Sequence, residues 1–238
     1  MCCGDGDGLP ATEHAGATIG DVATYVMIHG AGGGSWYWHL VAPRLGDLGH
    51  EVVAVDLPCD DDGAGLEDYA QCAVDAIGEH RDLIVVGQSL GAFTATMVCE
   101  RRPTRLLVLV AAMVPAPGES PGQWWSNTGH VFPDPFDPAE VFAHDVPADV
   151  AAELPAHLRE QSDRPFTDAW PLAAWPPVAT RVLLCRDDRF FPADFQRRVV
   201  RERLGFDPDE MPGGHLPALA HPDELVARLE GYREEVMP

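Results

Sequence analysis

The sequence contains no lysine. All 16 of its basic residues are arginines, against 38 aspartates and glutamates, so the formal net charge is −22 over 238 residues. A Walker A phosphate loop needs a lysine, and Schiff-base and pyridoxal-phosphate enzymes need an amine nucleophile, so these classes are excluded. The negative charge argues against nucleic acid as a partner, because its phosphates would be repelled.

Long apolar runs are also lacking. The longest, Leu106 to Val114, is about half of what a bilayer-spanning helix requires. Residues 1–20 are rich in glycine, aspartate and alanine and contain no stretch typical of a secretory signal. We therefore expect a cytoplasmic protein with no membrane partner, in which residues 1–20 form a flexible N-terminal tail.

Cysteine patterns typical of metal or redox sites are missing as well. The six cysteines are scattered, and apart from the adjacent pair Cys2 and Cys3 none has a metal-ligand or redox spacing. We therefore expect reduced thiols, no metal site and no cofactor.

Strand-like and helix-like segments alternate along most of the chain. Apolar, β-branched runs at residues 22–28, 83–86 and 106–112 are typical of buried strands. A helix is predicted from Trp36 to Leu45, and apolar residues three and four apart predict an amphipathic helix from Leu66 to Ile77. This order predicts an α/β fold, with a mostly parallel central sheet and helices on both faces.

The alternation stops between residues 114 and 177, where proline, tryptophan, phenylalanine and aspartate dominate. It resumes with a strand at residues 181–185 and a helix at residues 194–204. We therefore predict that residues 21–238 form a single domain with an insertion at about residues 114–177.

The insertion carries most of the large aromatic side chains of the chain. They are Trp124, Trp125, Phe132, Phe136, Phe142, Phe166, Trp170 and Trp175. We expect the insertion to act as a lid, in which Trp124, Trp125 and Phe132 line an apolar substrate pocket. For any single one of these residues, packing within the lid is the alternative.

A candidate nucleophile lies at Gly87-Gln88-Ser89-Leu90-Gly91, between a predicted strand and a predicted helix. This is the context of a nucleophile elbow, a turn so tight that the flanking positions must lack bulk. A serine that caps an ordinary helix is the alternative. Because a serine hydroxyl is a poor nucleophile, it needs a base to take its proton and a carboxylate to orient that base.

His215 is our candidate base and Asp188 our candidate acid. His215 ends a Gly-Gly-His loop after the last strand signal, whereas His221 is expected to precede or cap the final helix. Asp187 and Asp188 both follow the strand that resumes the sheet, and either could reach the histidine. We prefer Asp188, four residues before Pro192.

The glycine-rich loop His29 to Trp36 is the candidate oxyanion site, because its backbone can approach the serine closely. We expect the amides of Ala31 and Leu90 to bind the oxyanion. An ordinary strand-to-helix turn and a phosphate cradle are the alternatives, but the loop has no lysine and no G-x-G-x-x-G register for a cradle.

Five segments together resemble the α/β-hydrolase superfamily: YVMIHGAGGGSWYW, GHEVVAVDLP, IVVGQSLG, CRDDRFFPADFQ and GGHLPALAHPDEL. More narrowly, they are similar to the branch that holds small plant esterases, methylesterases, hydroxynitrile lyases and their bacterial relatives. The resemblance runs from Val22 through nearly the whole chain. It implies the same triad, with Ser89 as nucleophile, His215 as base and Asp188 as acid.

We therefore expect a carboxylesterase-type serine hydrolase that cleaves a small to medium apolar ester through an acyl-enzyme. One alternative is a receptor that keeps the fold and binds a small molecule without turnover. A second is a lyase acting on cyanohydrins. The resemblance implies a lysine after the catalytic histidine of such lyases and a threonine after the strand-end histidine, where this chain has Leu216 and Gly30. Leu216 is instead expected to contact the substrate. The sequence leaves open whether the protein forms a homodimer.

Overall fold

The computed structural model describes residues 22–237, so the predicted tail, with Cys2 and Cys3, lies outside the described residues. The strands are β1 (Thr24–Ile28), β2 (Glu51–Val55), β3 (Leu83–Gln88), β4 (Thr104–Val110), β5 (Ala179–Cys185) and β6 (Asp209–Met211). The helices are α1 (Ala42–Asp47), α2 (Leu66–Ile77), α3 (Gly91–Arg101), α4 (Pro121–Thr128), α5 (Pro138–Phe142), α6 (Ala148–His157), α7 (Arg164–Thr167), α8 (Ala193–Leu204), α9 (Pro217–Ala220) and α10 (Pro222–Val236). A short 3₁₀ helix spans Ser35–Trp38.

The strands form one sheet in the order β2-β1-β3-β4-β5-β6, and every neighbouring pair is parallel. Parallel neighbours need crossover connections, which the helices provide. Ile28 at the end of β1 pairs with Gly87 near the end of β3, so these strands finish at the same edge of the sheet. The predicted α/β fold with a parallel central sheet is confirmed.

Apolar side chains cover both faces of the sheet. In β3, Ile84 and Val86 belong to the cluster on one face and Val85 to the cluster on the other, and all three are fully buried. Burying a side chain of this size contributes about 1.5–3 kcal/mol. Helices α2, α3 and α8 pack on the Val85 face, whereas α1 and α10 pack on the opposite face. The central strand is therefore a rigid support for whatever follows its carboxyl end.

The predicted helix from Trp36 to Leu45 is wrong as a single element. The chain instead forms the 3₁₀ helix, and α1 then starts at Ala42 with Pro43 in its first turn. Proline has no N–H, so it cannot continue a helix that began upstream, but it is well tolerated in a first turn.

The insertion, residues 114–177, follows β4 and contains α4, α5, α6 and α7 but no strand. Its helices are short, and Pro155 interrupts the hydrogen bonds of α6. Trp124 and Trp170 pack into the main core, which attaches the insertion to the sheet domain. Its role as a lid stays a prediction.

Candidate active site

Ser89 lies in the sharp turn between β3 and α3, and its φ of +51° falls in the left-handed region. A non-glycine residue there carries strain of about 1–3 kcal/mol, which surrounding structure must offset. At the glycines on either side, neighbouring atoms leave no room for a side chain. A Cβ at Gly91 would lie 2.5 Å from the carbonyl oxygen of His29, and one at Gly87 would lie 2.7 Å from Cβ of Ala95.

The side chains of Ser89, His215 and Asp188 form one continuous chain of hydrogen bonds. Nε2 of His215 lies 3.2 Å from Oγ of Ser89, and Nδ1 of His215 lies 2.9 Å from Oδ2 of Asp188. All three residues are buried. They follow β3, β6 and β5, whose carboxyl ends meet at one edge of the sheet. The separations suit proton transfer from a hydroxyl to an imidazole.

Backbone amides fix the orientation of the Asp188 carboxylate. Its Oδ1 accepts hydrogen bonds from the N–H groups of Phe190 and Phe191 at 2.8 and 2.9 Å, which leaves Oδ2 for His215. Asp187, the alternative acid, points elsewhere: its carboxylate accepts from the N–H of Gly213 at 3.0 Å. The two neighbouring aspartates therefore have different partners.

His221, the alternative base, is also placed away from the serine. It directly precedes α10, and its Nε2 lies 3.3 Å from Oδ2 of Asp145. The arrangement brings His215, and not His221, to Ser89.

The two candidate oxyanion donors, Ala31 and Leu90, both line the cavity above Ser89. Within residues 22–237, neither of their amides donates to another protein group. The carbonyl of Gly30 lies 2.7 Å from Nδ1 of His29. Because a trans peptide is planar, with its N–H antiparallel to its C=O, this contact also fixes the direction of the Ala31 N–H.

His29 is held as a neutral imidazole of defined tautomer. Nδ1 faces a carbonyl that can only accept, whereas Nε2 lies 3.1 Å from the N–H of Leu57, which can only donate. Burial lowers the pKa of His29, and the hydrogen bond to Gly30 opposes this only in part. The sequence showed the glycines of this loop but not the role of its first residue.

Ser89 opens into a cavity of about 580 Å³ between the sheet edge and the insertion. Its walls are mainly apolar, and the described residues that form them include no Arg, Asp or Glu side chain. Trp125 and Leu216 line it, as expected. So do Phe142 and Phe190, whose rings lie 5.3 Å from the imidazole of His215. Phe190 was missed, although its place just after Asp188 was a signal for it.

Two expected substrate contacts lie outside this cavity. Trp124 is fully buried in the core, and its Nε1 donates to the carbonyl of Val114 at 2.9 Å. Its neighbour on the helix, Trp125, faces the cavity because adjacent helical residues point in different directions. Phe132 is half exposed and packs against Trp125 from outside. Both expectations are corrected by this packing.

The described residues contain no group of three His, Cys, Asp or Glu side chains arranged to hold a metal ion. Over the same range, no helix is long and apolar enough to cross a membrane. The described cysteines are unpaired thiols, and burial raises the pKa of each, to about 12 for Cys99.

Comparison with known proteins bears on this fold and site. The model of the alpha/beta hydrolase family matches residues 25–229. Norfluorocurarine synthase 1 from Strychnos sp is 23% identical over 256 residues, which cover 90% of this chain and 96% of the relative. Methylesterase 3 from Arabidopsis thaliana is 25% identical over 248 residues, which cover 86% of this chain and 93% of the relative.

A solved structure adds a likeness of fold. The pyrethroid hydrolase from Sphingobium faniae JZ-2 superposes with a TM-score of 0.71 at 22% identity, covering 90% of this chain and 98% of that one. The resemblance to the α/β-hydrolase superfamily is confirmed, and so is the narrower resemblance to its plant esterases.

Proposed function

This chain belongs to the α/β-hydrolase family and is an enzyme of that type, and we propose that it is a serine carboxylesterase with a Ser89-His215-Asp188 triad. The observation that carries the proposal is the hydrogen-bonded chain of these side chains, which ends at a strained serine facing an apolar cavity.

In this mechanism Nε2 of His215 takes the proton of Ser89 as Oγ attacks the ester carbonyl. The 3.2 Å separation of these atoms supports that transfer. Asp188 keeps the Nδ1 proton in place and stabilises the imidazolium that forms. The protonated histidine then gives its proton to the departing alcohol, and water releases the acid from the acyl-enzyme by the same steps.

The amides of Ala31 and Leu90 bind the oxyanion of each tetrahedral intermediate. Their freedom from other partners within the described chain supports this role, as does the fixed direction of the Ala31 N–H. Preorganised donors of this kind contribute about 3–4 kcal/mol each to lowering the barrier, because they need not reorient as charge develops.

The substrate is a small to medium uncharged ester with apolar groups on its acyl side, its alcohol side or both. A cavity of about 580 Å³ suits a molecule of this size. Among the described residues its apolar walls offer no arginine or carboxylate as an ion-pair partner for a charged group, and the net charge of −22 disfavours the approach of anions. The insertion closes over this cavity as a lid through α5, α6 and Trp125.

Cyanohydrin cleavage has less support. Leu216 lines the cavity where a cation for the departing cyanide would be needed. A Cβ at Gly30 would collide with Oε1 of Gln88 and lie 3.0 Å from Cβ of Ser89, so a hydroxyl-bearing side chain there would displace the Gln88 side chain and press on Ser89. We therefore expect mandelonitrile cleavage, if measurable, to stay below ester turnover.

The test compares wild-type enzyme with Ser89→Ala and with Ser126→Ala, an exposed serine of α4 as the matched control. With p-nitrophenyl butyrate, wild type and control should show a burst and steady turnover, and Ser89→Ala should lose about 10⁴-fold or more. A serine-directed fluorophosphonate should label Ser89.

Activity of Ser89→Ala within tenfold of wild type would remove the serine from the mechanism. Tight ligand binding by wild type with neither acylation nor turnover would instead favour the receptor. Mandelonitrile cleavage above ester turnover would favour the lyase.

A further inference from the structure

The loop that carries His215 is held by side chains from distant parts of the chain. The carboxylate of Asp187 accepts from the N–H of Gly213 at 3.0 Å. The side-chain amide of Gln88, next to the serine, donates to the carbonyl of His215 at 3.1 Å. These contacts fix the residues on either side of Gly214 but leave the Gly214 amide itself to another partner.

That partner is Asp145, which belongs to the insertion. Its Oδ2 accepts from the N–H of Gly214 at 2.6 Å, and its side chain is 18% exposed. A hydrogen bond to an ionised carboxylate is about twice as strong as a neutral one. A Cβ at Gly214 would lie 2.7 Å from Oδ1 of Asp145 and 2.6 Å from Cε1 of His144, so this close approach depends on the glycine.

The same carboxylate oxygen of Asp145 has a second neighbour. Nε2 of His221 lies 3.3 Å from its Oδ2. The imidazole of His221 packs so tightly on Gly213 that a Cβ there would collide with it, and the φ of Gly213 is +106°. The second glycine of the Gly-Gly-His motif therefore accommodates Asp145, and the first accommodates His221.

The same stretch of the insertion forms a wall of the cavity. Pro138, Ala139 and Phe142 of α5 line it, and Ala143, shortly before Asp145, lines it too. One short segment thus lines the cavity on one side and contacts the loop of His215 on the other. The position of this segment and the position of His215 are therefore linked through Asp145.

We propose that Asp145 is a positioning residue for His215, an inference that rests on the proposed function. Its carboxylate holds the Gly214 amide, so that the imidazole stays within reach of both Ser89 and Asp188 when the insertion is seated. Without the carboxylate, the Gly214 peptide loses its tether and the loop is held only through Gly213 and the carbonyl of His215, which allows the 3.2 Å separation between Nε2 and Oγ to lengthen. A displacement of about 1 Å at a reacting group can reduce the rate about 10²-fold.

The test uses the full chain with Asp145→Ala, Asp145→Asn and Asp149→Ala, the last an exposed aspartate at the start of α6 as the matched control. For Asp145→Ala we expect kcat to fall about 10- to 100-fold while KM stays within about twofold. Fluorophosphonate labelling of Ser89 should slow by the same factor. Asp145→Asn keeps an oxygen acceptor for Gly214 and should recover most of kcat, and Asp149→Ala should match wild type.

Two outcomes would overturn the proposal. Unchanged kcat and labelling in Asp145→Ala would show that the Gly214 contact does not place the base. A loss confined to KM would show that Asp145 only supports the cavity wall. Asp145→Ser, whose short hydroxyl cannot reach Gly214, gives the same comparison if the alanine variant does not fold. Absence of ester turnover in wild type would refute the proposed function, a result distinct from either of these.

Discussion

Replacing Asp188 by asparagine should reverse the tautomer of His215 while leaving the shape of the site intact. In the native site, Oδ1 accepts from the amides of Phe190 and Phe191 at 2.8 and 2.9 Å, and Oδ2 faces Nδ1 of His215 at 2.9 Å. An asparagine must keep its oxygen on the two amides. The opposite orientation would set its NH₂ against two N–H donors and lose two hydrogen bonds, each contributing about 0.5–1.5 kcal/mol.

The NH₂ group of the asparagine then donates to Nδ1 of His215, and the imidazole proton moves to Nε2. In that form Nε2 donates to Ser89 and cannot take its proton. We expect kcat/KM to fall about 10⁴-fold, which corresponds to about 5.5 kcal/mol of barrier at 1.36 kcal/mol per tenfold change. Stability should change little, because asparagine has nearly the same volume as aspartate.

Asp187→Asn is the matched control. Its carbonyl oxygen can still accept from Gly213, so the loop keeps its tether and activity should stay within tenfold of wild type. The assay is hydrolysis of p-nitrophenyl esters, with thermal unfolding as a check on folding. Activity of Asp188→Asn within tenfold of wild type, or a larger loss in Asp187→Asn, would refute this account of the acid.

Two further predictions concern stability. Gly91→Ala should lower the free energy of unfolding by about 1–3 kcal/mol and reduce kcat, because its Cβ would press on the carbonyl oxygens of Ile28 and His29 at 2.8 and 2.5 Å. Gly231→Ala is the control, because it lies in α10 with no atom within 4 Å of the new Cβ. It should raise the free energy of unfolding, measured in urea, by up to about 1 kcal/mol. Equal effects of the two changes would contradict the steric argument. Because burial lowers the pKa of His29, the unfolded chain takes up its proton first, so stability should fall as the pH drops below about 6.5. His29→Gln should reduce the slope of the unfolding free energy against pH by up to about 1.4 kcal/mol per pH unit. An unchanged slope in this variant would argue against a neutral His29.

Much of the sheet and the candidate elbow could be predicted because their determinants are local in sequence. Strands buried on both faces read as short apolar, β-branched runs, and β1, whose five residues are all buried, ends at Ile28 where the predicted run ends. Likewise, neighbouring atoms leave no room for a Cβ at Gly87 or Gly91, so the turn requires glycine at both positions and can be predicted from their spacing. The predicted base and acid followed from chain order, and the geometry brings both to the serine.

The contacts of the side chains in the insertion could not be predicted from the sequence, because they depend on packing between distant parts of the chain. Trp124 and Trp125 are adjacent and chemically alike, yet one fills the core and the other faces the cavity. Which of the two points inward depends on how α4 docks, and an eight-residue helix shows no periodicity from which to read it. Asp145 carried no signal for the same reason, since a lone aspartate in an irregular segment resembles any solvated one.

The order of the strands also determines when reactivity can arise. Ser89 directly follows β3 in the middle of the sheet, whereas Asp188 follows β5 and His215 follows β6 at the sheet edge. During synthesis Ser89, the proposed nucleophile, therefore leaves the ribosome before Asp188 and His215, its proposed acid and base, have been added to the chain. Until β5 and β6 join the sheet by slow, non-local pairing, the serine is an ordinary alcohol. In the proposed mechanism, acylating power thus arises only once the whole sheet has assembled, so a truncated or half-folded chain should not attack esters around it.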